Sequence, residues 1–396
     1  MGHRLLLFRL DKISRSNEWK IISKYAVFLS LALPTAWAGA SDVQLYGQID
    51  TGIAFEKGDG AKGKVMSAGS ADIPSKWGIR GKEDLGGKSY LAFNLENGFN
   101  PYNGTATWGA AFGREALIIL GGSWGELALG RTGTFFGSIG SYGMWAKMGI
   151  NPMQTNYGDS TLGGVFTSTG MASNSVTYQY RTNNNWIFTA QYLNGDDDSQ
   201  DTWSHNNHMY EAAVQYKDKL WNVGVIYAMT QYGNVASNKI APHNAKLSKN
   251  IMASITRAVG KGRLYFAYQH VWDSRVVGGA SGQFSAAQMG INTAKISKEG
   301  FDSDAAMIGG NMPAFGGKIY GAFKAVHAKW KGEKPVGSGR KTSGFRWVVS
   351  GKYRYDLSKR SSLYAETSYA HGSGMYGFTN EKGTRLQFVT GVSHRF

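Results

Sequence analysis

Downstream of the first forty residues, apolar and polar side chains alternate with a period of two in about sixteen segments. In the first of them, Val43, Leu45 and Ile49 share one face, and Gln44 and Gln48 share the other. Successive side chains of a β-strand point to opposite faces, so this period predicts strands and not helices. An even number of strands is what bacterial transmembrane β-barrels contain. The pattern alone does not show which face is wet, so a soluble multi-sheet protein is the alternative.

The connections between the segments alternate between short and long. Short turns such as EDLGG and TNNN are followed by longer stretches centred near residues 65, 105, 150, 200, 240, 287, 337 and 378. Transmembrane barrels have short periplasmic turns on one side and long extracellular loops on the other. The chain is therefore predicted to be all-β, a transmembrane antiparallel β-barrel of about 16 strands, with the stretch 132–173 as its third long loop.

Each predicted strand has one apolar face, and its other face carries small polar or charged side chains. Because lipid offers no hydrogen bonds, a sheet that spans a membrane must close on itself and turn its apolar face outward. Wide barrels enclose water, which explains a polar inner face. Tryptophans near strand ends are typical of interfacial girdles. They are Trp77, Trp124, Trp186, Trp221, Trp272, Trp330 and Trp347.

Composition agrees with many strands and tight turns. Glycine occurs 54 times, proline 7 times and cysteine not at all, and 13% of residues are aromatic. The lack of cysteine excludes disulfides and thiolate metal sites. The formal charge is 43 − 27 = +16, which fits nucleic acid, anionic lipid or small anions as partners. The charges are spread along the chain, so no nucleic-acid partner is predicted.

Residues 1–40 are predicted to be a signal peptide. A basic region ends at Lys24, an apolar stretch runs from Tyr25 to Pro34, and two A-x-A cleavage sites follow within residues 36–40. The apolar stretch is too short to span a bilayer as a helix, although a single membrane anchor is the alternative. Removal of residues 1–40 would leave one transmembrane domain, residues 41–396, outside the cytoplasm.

The stretch 132–173 has neither strand alternation nor a helical apolar stripe. It contains Phe135, Tyr142, Trp145 and Phe166, and such residues favour packing over disorder. An ordered connection of this length is usually functional.

Signals for enzymatic chemistry are weak. The stretch GKEDLGGKS, residues 81–89, differs from a phosphate-binding loop by one residue in its glycine spacing. His205 and His208 follow several aspartates and could bind a metal, but a hydrated loop tip is the alternative. We predict no enzyme, no cofactor and no metal site.

Five stretches resemble the general trimeric porins of Gram-negative outer membranes, in particular those of beta-proteobacteria. They are SDVQLYGQIDTG at 41–52, LGR at 129–131, NSVTY at 174–178, YDLSKRSSLYA at 355–365 and GVSHRF at 391–396. The resemblance covers essentially the whole chain after residue 40. It implies a homotrimer in the outer membrane, in contact with lipid and lipopolysaccharide. The terminal Phe396 resembles the signal read by the barrel-insertion machinery.

In that family, the third loop folds into the barrel and narrows the pore opposite a basic wall. The resemblance places Arg80, Arg114 and Arg131 on this wall, and Asp159 and Lys147 on the loop. A basic residue that the family often has before NSVxY is missing here, where residues 171–173 are Met, Ala and Ser. The loop carries one carboxylate, so a cation preference is not expected.

Alternation predicts an excess of basic side chains on the inner face. The basic ones are Lys76, Arg80, Lys82, Lys318, Lys324, Arg346, Lys352, Arg354 and Arg385, against Asp50, Glu96, Glu211, Asp356 and Glu366. The chain is therefore predicted to be a passive diffusion channel for small hydrophilic solutes that prefers anions. Two alternatives remain open: a substrate-specific channel for phosphate, organic anions or sugars, and a closed barrel that acts as an adhesin or receptor.

Overall fold

The computed structural model describes residues 42–396, except 59, 154, 195–206, 234–244, 280–283, 286–290, 292–297, 335–340 and 379–382. Within the described residues, sixteen long strands form one antiparallel sheet. The second strand consists of two segments, and a two-residue strand, Ala106–Thr107, pairs with the end of the third. The strands are β1 (Asp42–Gly58), β2a (Lys64–Gly69) and β2b (Lys76–Gly86), β3 (Ser89–Phe99), β4 (Glu115–Gly122), β5 (Gly125–Gly133), β6 (Met171–Arg181), β7 (Trp186–Asn194), β8 (His208–Lys217), β9 (Trp221–Gln231), β10 (Ser248–Val259), β11 (Gly262–Ser274), β12 (Phe301–Ala314), β13 (Gly317–Trp330), β14 (Ser343–Asp356), β15 (Ser361–Gly374) and β16 (Thr384–Arg395).

The sheet closes on itself because its first strand pairs with its last. The register runs from Gln48 opposite Arg395 to Gly58 opposite Arg385, and every strand pairs antiparallel with its neighbours. The predicted closed barrel of sixteen strands is therefore confirmed. No helix among the residues described is long and apolar enough to cross a membrane.

The two faces of the sheet follow the predicted alternation. Outward side chains are apolar and exposed, as Leu45, Phe188, Ile255 and Phe323 illustrate. Inward side chains such as Gln191 are polar and buried inside the barrel. This arrangement is the reverse of a soluble barrel, and it places the apolar surface where lipid would contact it.

Most of the tryptophans predicted to form the girdle face outward, but Trp330 does not. Trp77, Trp186 and Trp272 are exposed on the outward face, whereas Trp330 is 2% exposed and packs against Phe301, with ring centroids 4.8 Å apart. Trp330 has the inward parity of β13, so it fills the interior.

The prediction of a long first loop centred near residue 65 is wrong. Residues 64–69 form β2a, which pairs with β1 from Glu56 opposite Lys64 to Thr51 opposite Gly69. The alternation continues through KVMSAG, where Val65 is exposed outward and Ala68 is buried. The segment between β2a and β2b, residues 70–75, turns inward instead.

Parts of several other predicted loops, near 200, 240, 287, 337 and 378, lie outside the described residues, as do residues 1–41. The signal peptide and its cleavage therefore remain predictions.

Candidate functional site

The third loop enters the barrel and supplies most of the largest fully buried side chains. It runs from the end of β5 to the start of β6, with one short helix, α1 (Met144–Lys147), and two 3₁₀ turns, Gly158–Ser160 and Leu162–Gly164. Its large apolar side chains are fully buried against small inward side chains of the wall. They include Phe135, Phe136, Tyr142, Met144, Met148, Met153 and Phe166. The predicted long, ordered third loop is thus a packed element inside the sheet.

Polar side chains from the wall satisfy the backbone of this loop. Glu211 accepts a hydrogen bond from the amide of Phe135 at 2.9 Å, and Glu115 accepts one from Ser141 at 2.6 Å. Gln269 bonds both the amide and the carbonyl of Thr167, at 2.7 and 2.8 Å. Buried backbone groups outside regular structure need such partners, so the wall fixes the path of the loop.

Asp159 anchors the loop to the wall through both its side chain and its backbone. It is 0% exposed, and its two carboxylate oxygens bind Arg346 at 2.5 Å and Arg385 at 2.7 Å. Its amide donates to Gln387 at 2.8 Å. Lys324, also fully buried, donates to the backbone carbonyls of residues 159, 160 and 161 at 2.5–2.7 Å. Three of the predicted wall cations therefore hold the loop.

Two other pairs of predicted wall cations bind carboxylates as well. Lys352 binds Asp72, which Arg354 also approaches to 3.4 Å. Glu96 of β3 receives Lys76 at 2.5 Å and Arg114 at 2.7 Å. The inner-face positions agree with the alternation, but the basic wall is largely neutralised.

Arg131 binds the backbone just before β4 and a side chain of β6. It shares the parity of Leu127 and Leu129, next to an irregularity in the pairing of β5 with β6. Its guanidinium donates to the carbonyl of Gly113 at 2.8 Å and to the hydroxyl of Ser173 at 2.7 Å. The structure therefore separates Arg131 from Arg80 and Arg114, which both line the cavity described next.

One side of the interior remains open. A cavity of about 700 Å³ lies between β1–β4 and loop residues 138–146, and we call it the open side. Arg80 is exposed there, and its guanidinium bonds the neutral amide of Gln44 at 3.0 and 3.2 Å. Lys82 lies over the ring of Tyr90, 3.8 Å from its centroid. Arg80 and Lys82 thus present their charge toward water.

The sequence prediction missed Asp72 as a partner of the wall. It lies between the first two predicted strands, in the stretch SADIPS, and it is 1% exposed inside the barrel. Asp and Pro in a short stretch indicate a turn, but not the direction in which it points. The direction is visible only in the structure, where Asp72 is buried against Lys352.

Lys147 lies at the end of α1, inside the barrel. Its ammonium is 4.7 Å from the ring centroid of Tyr142 and 3.5 Å from the amide oxygen of Gln179. Burial, together with the nearby Arg181, lowers the pKa of Lys147 to about 8. The residue therefore loses its positive charge as the pH rises through about 8, and not near its usual value.

From this shift we expect any selectivity of the interior for anions over cations to weaken between pH 7 and pH 9.5. The cause is the loss of one lumen charge, and the measurement is the zero-current potential in a bilayer under a salt gradient. Lys147→Arg keeps its charge over this range and should show a flatter pH profile. Equal profiles for both proteins would contradict the assignment to Lys147.

The described residues contain no group of three or more His, Cys, Asp or Glu side chains that could hold a metal. His208, one member of the predicted pair, instead bonds the hydroxyl of Tyr192 at 2.9 Å. His205 and the neighbouring aspartates lie outside the described residues.

A closed barrel with an apolar outer face and a polar, partly open interior defines a membrane-spanning channel protein. The family model described as Gram-negative porin matches residues 26–374, and the chain belongs to this family. It is accordingly a protein of the outer membrane.

Relatives and solved structures agree with this family. An outer membrane porin protein of Bordetella pertussis is 30% identical over 414 residues, which cover 93% of this chain and 99% of that protein. Major outer membrane protein P.IB of Neisseria meningitidis serogroup A is 28% identical over 208 residues, 50% of this chain and 56% of the relative. The anion-selective porin from Comamonas acidovorans has a TM-score of 0.63 at 18% identity, covering 90% of this chain and all of that one. Because the identity to the Comamonas acidovorans porin is low, this similarity shows the fold alone.

Proposed function

We propose that this chain forms a water-filled channel for passive diffusion of small hydrophilic solutes, with a preference for anions. The observation that supports the preference most is the lining of the open side. It contains five basic side chains, Lys76, Arg80, Lys82, Arg114 and Arg395, and three acidic ones, Asp42, Glu96 and Glu115. The difference, 5 − 3, is two positive charges.

These charges act on any ion that passes through the open side. Charges separated by less than about 8–10 Å are only partly screened at physiological salt. Arg80 and Lys82 contribute most, since Lys76 and Arg114 share Glu96. In this proposal the third loop sets the width of the constriction, while Asp159 acts as an anchor of the loop and not as a selectivity group.

The runner-up is a substrate-specific channel for phosphate, organic anions or sugars, and the concentration dependence of conductance separates the two. A diffusion channel should give single-channel conductance that rises with salt without saturation, and phosphate should not block it at millimolar concentration. Saturation or block at low concentration would favour the specific channel. Absence of any conductance would favour an adhesin or receptor.

The proposal includes assembly as a homotrimer, export through the signal peptide 1–40, and contact with lipid and lipopolysaccharide through the apolar outer face. The family supports these statements. Chemical crosslinking of the protein in detergent should yield a species of three chains, and a single-chain species alone would contradict the trimer.

Phe396 is proposed as a signal for insertion, and its position allows a test. Its backbone pairs with Gly47 at 3.0 and 3.1 Å, and its side chain is exposed on the outer face. We expect Phe396→Ala to lower the amount of inserted protein in cells severalfold while refolding in detergent is little changed. An equal loss in both settings would instead indicate a packing role.

A further inference from the structure

The second strand is interrupted by a turn that points into the barrel. In the first strand, Thr51 pairs with Gly69 and Gln48 pairs with Lys76. Between these pairs β1 advances by three residues and the second strand by seven, so the second strand contains four extra residues. Because four is an even number, β2a and β2b keep the same inner and outer faces. We call residues 70–75 the inward turn.

One buried carboxylate organises this turn. Asp50 accepts hydrogen bonds from three consecutive amides, those of Ala71 at 2.8 Å, Asp72 at 3.2 Å and Ile73 at 3.3 Å. The hydroxyl of Tyr364 donates to the same carboxylate at 2.9 Å. A carboxylate held by a set of adjacent amides fixes the backbone that presents them. Asp50 therefore acts on the turn and not on solutes.

The inward turn bonds directly to the third loop. The carbonyl of Ala71 accepts the hydroxyl of Thr155 at 2.7 Å and the amide of Asn156 at 2.9 Å. Ala71 is fully buried behind these contacts. Two segments that are more than eighty residues apart in sequence thus form one continuous layer inside the barrel.

A lysine from β14, four strands away around the barrel, joins both segments. Lys352 of β14 donates to the carboxylate of Asp72 and to the carbonyl of Met153 at 3.0 Å. Its side chain is 2% exposed, and that of Asp72 is 1% exposed. Ser393 of β16 adds a bond to Asp72 at 3.3 Å. Removing one partner would leave a buried charge uncompensated. The Asp72–Lys352 ion pair therefore depends strongly on the positions of the inward turn and the third loop.

We propose that the inward turn is a second narrowing element of the channel. It closes the side of the interior next to β14–β16, together with the third loop, and confines solutes to the open side beside Arg80. This inference rests on the channel function proposed above. It assigns Asp72 and Lys352 as positioning residues, and it assigns Asp50 as the residue that sets the shape of the turn.

The register supplies the decisive variant. Deletion of residues 71–74 joins Ser70 to Ser75 and leaves Lys76 opposite Gln48, so the second strand becomes continuous with its faces unchanged. Combined with Lys352→Met, which removes the unpaired charge, this deletion should raise single-channel conductance about 1.5-fold or more, because a second path opens. It should also admit larger polyethylene glycols. Lys261→Met, in the exposed turn between β10 and β11, is the control and should leave conductance unchanged.

The deletion variant must first show the heat-modifiable mobility of a folded barrel. If its conductance then equals that of the unmodified protein, the inference is overturned. If the unmodified protein itself does not conduct, the proposed function fails instead. The two failures are therefore distinguishable.

Cysteine reporters test the same layer without a deletion. The chain has no cysteine, so each introduced thiol is the single reactive one. Ala71→Cys should resist a charged thiol reagent, whereas Ser138→Cys, exposed on the open side, should react quickly. Adding Lys352→Met should make the thiol at position 71 at least tenfold more reactive. Equal reactivity of both reporters in otherwise unmodified protein would overturn the inference even if the deletion variant does not fold.

Discussion

Replacing Arg80 and Lys82 together by glutamine is expected to shift the channel strongly toward cations. A unit charge about 5 Å from a permeating ion changes its energy by roughly 0.8 kcal/mol in water, and salt removes roughly half of this. Each lost charge should therefore lower the ratio of anion to cation permeability about two- to fourfold. The measurement is the zero-current potential of each variant in a planar bilayer.

Two further variants serve as comparisons for this experiment. Lys261→Gln removes a charge from an exposed turn between β10 and β11 and should leave the potential unchanged. Arg114→Gln is less informative, because Arg114 and Glu96 form a buried pair whose disruption costs about 3–5 kcal/mol of stability. If Arg80 and Lys82 can both be replaced without a change in the zero-current potential, the open side is not the selectivity region.

Asp159→Asn is expected to release the third loop. The substitution leaves Arg346 and Arg385 without their carboxylate, close to the buried Lys324. Breaking buried ion pairs costs about 3–5 kcal/mol, and here the cost falls on the loop since the strand ladders are unchanged. Single-channel conductance and open-channel noise should both rise. Protease cleavage between residues 134 and 170 of the folded protein should increase by tenfold or more.

Asp356→Asn is the matched variant for this prediction. Asp356 lies on β14, as Arg346 does, but its side chain is 68% exposed, so its pair with Arg354 is screened by water. It should leave conductance and proteolysis unchanged. If Asp159→Asn has normal conductance and unchanged open-channel noise, then packing of the apolar side chains, and not the ion pairs, holds the loop.

The sequence predicted the barrel because lipid imposes a simple rule on every strand. Apolar residues such as Phe388 and Val392 must face outward wherever the sheet crosses a membrane, so alternation combined with this rule predicted about sixteen strands and the direction of their faces. The same rule placed Lys324, Arg346, Lys352 and Arg385 on the inner face.

The sequence could not reveal which inner charges are free. Asp72 meets Lys352 across 280 positions of sequence, and Asp159 meets Arg385 across 226. These contacts depend on closure of the barrel and on the path of the third loop, neither of which alternation encodes. The inward turn escaped detection because an insertion of four residues preserves the alternation on both sides of it.

The most direct test of the proposed function is planar-bilayer recording of the unmodified protein under a tenfold gradient of potassium chloride. We predict stepwise openings whose conductance rises with salt, and a zero-current potential with the sign of anion preference. Zero-current potentials of cation sign would contradict the anion preference, and the absence of openings would contradict the channel itself.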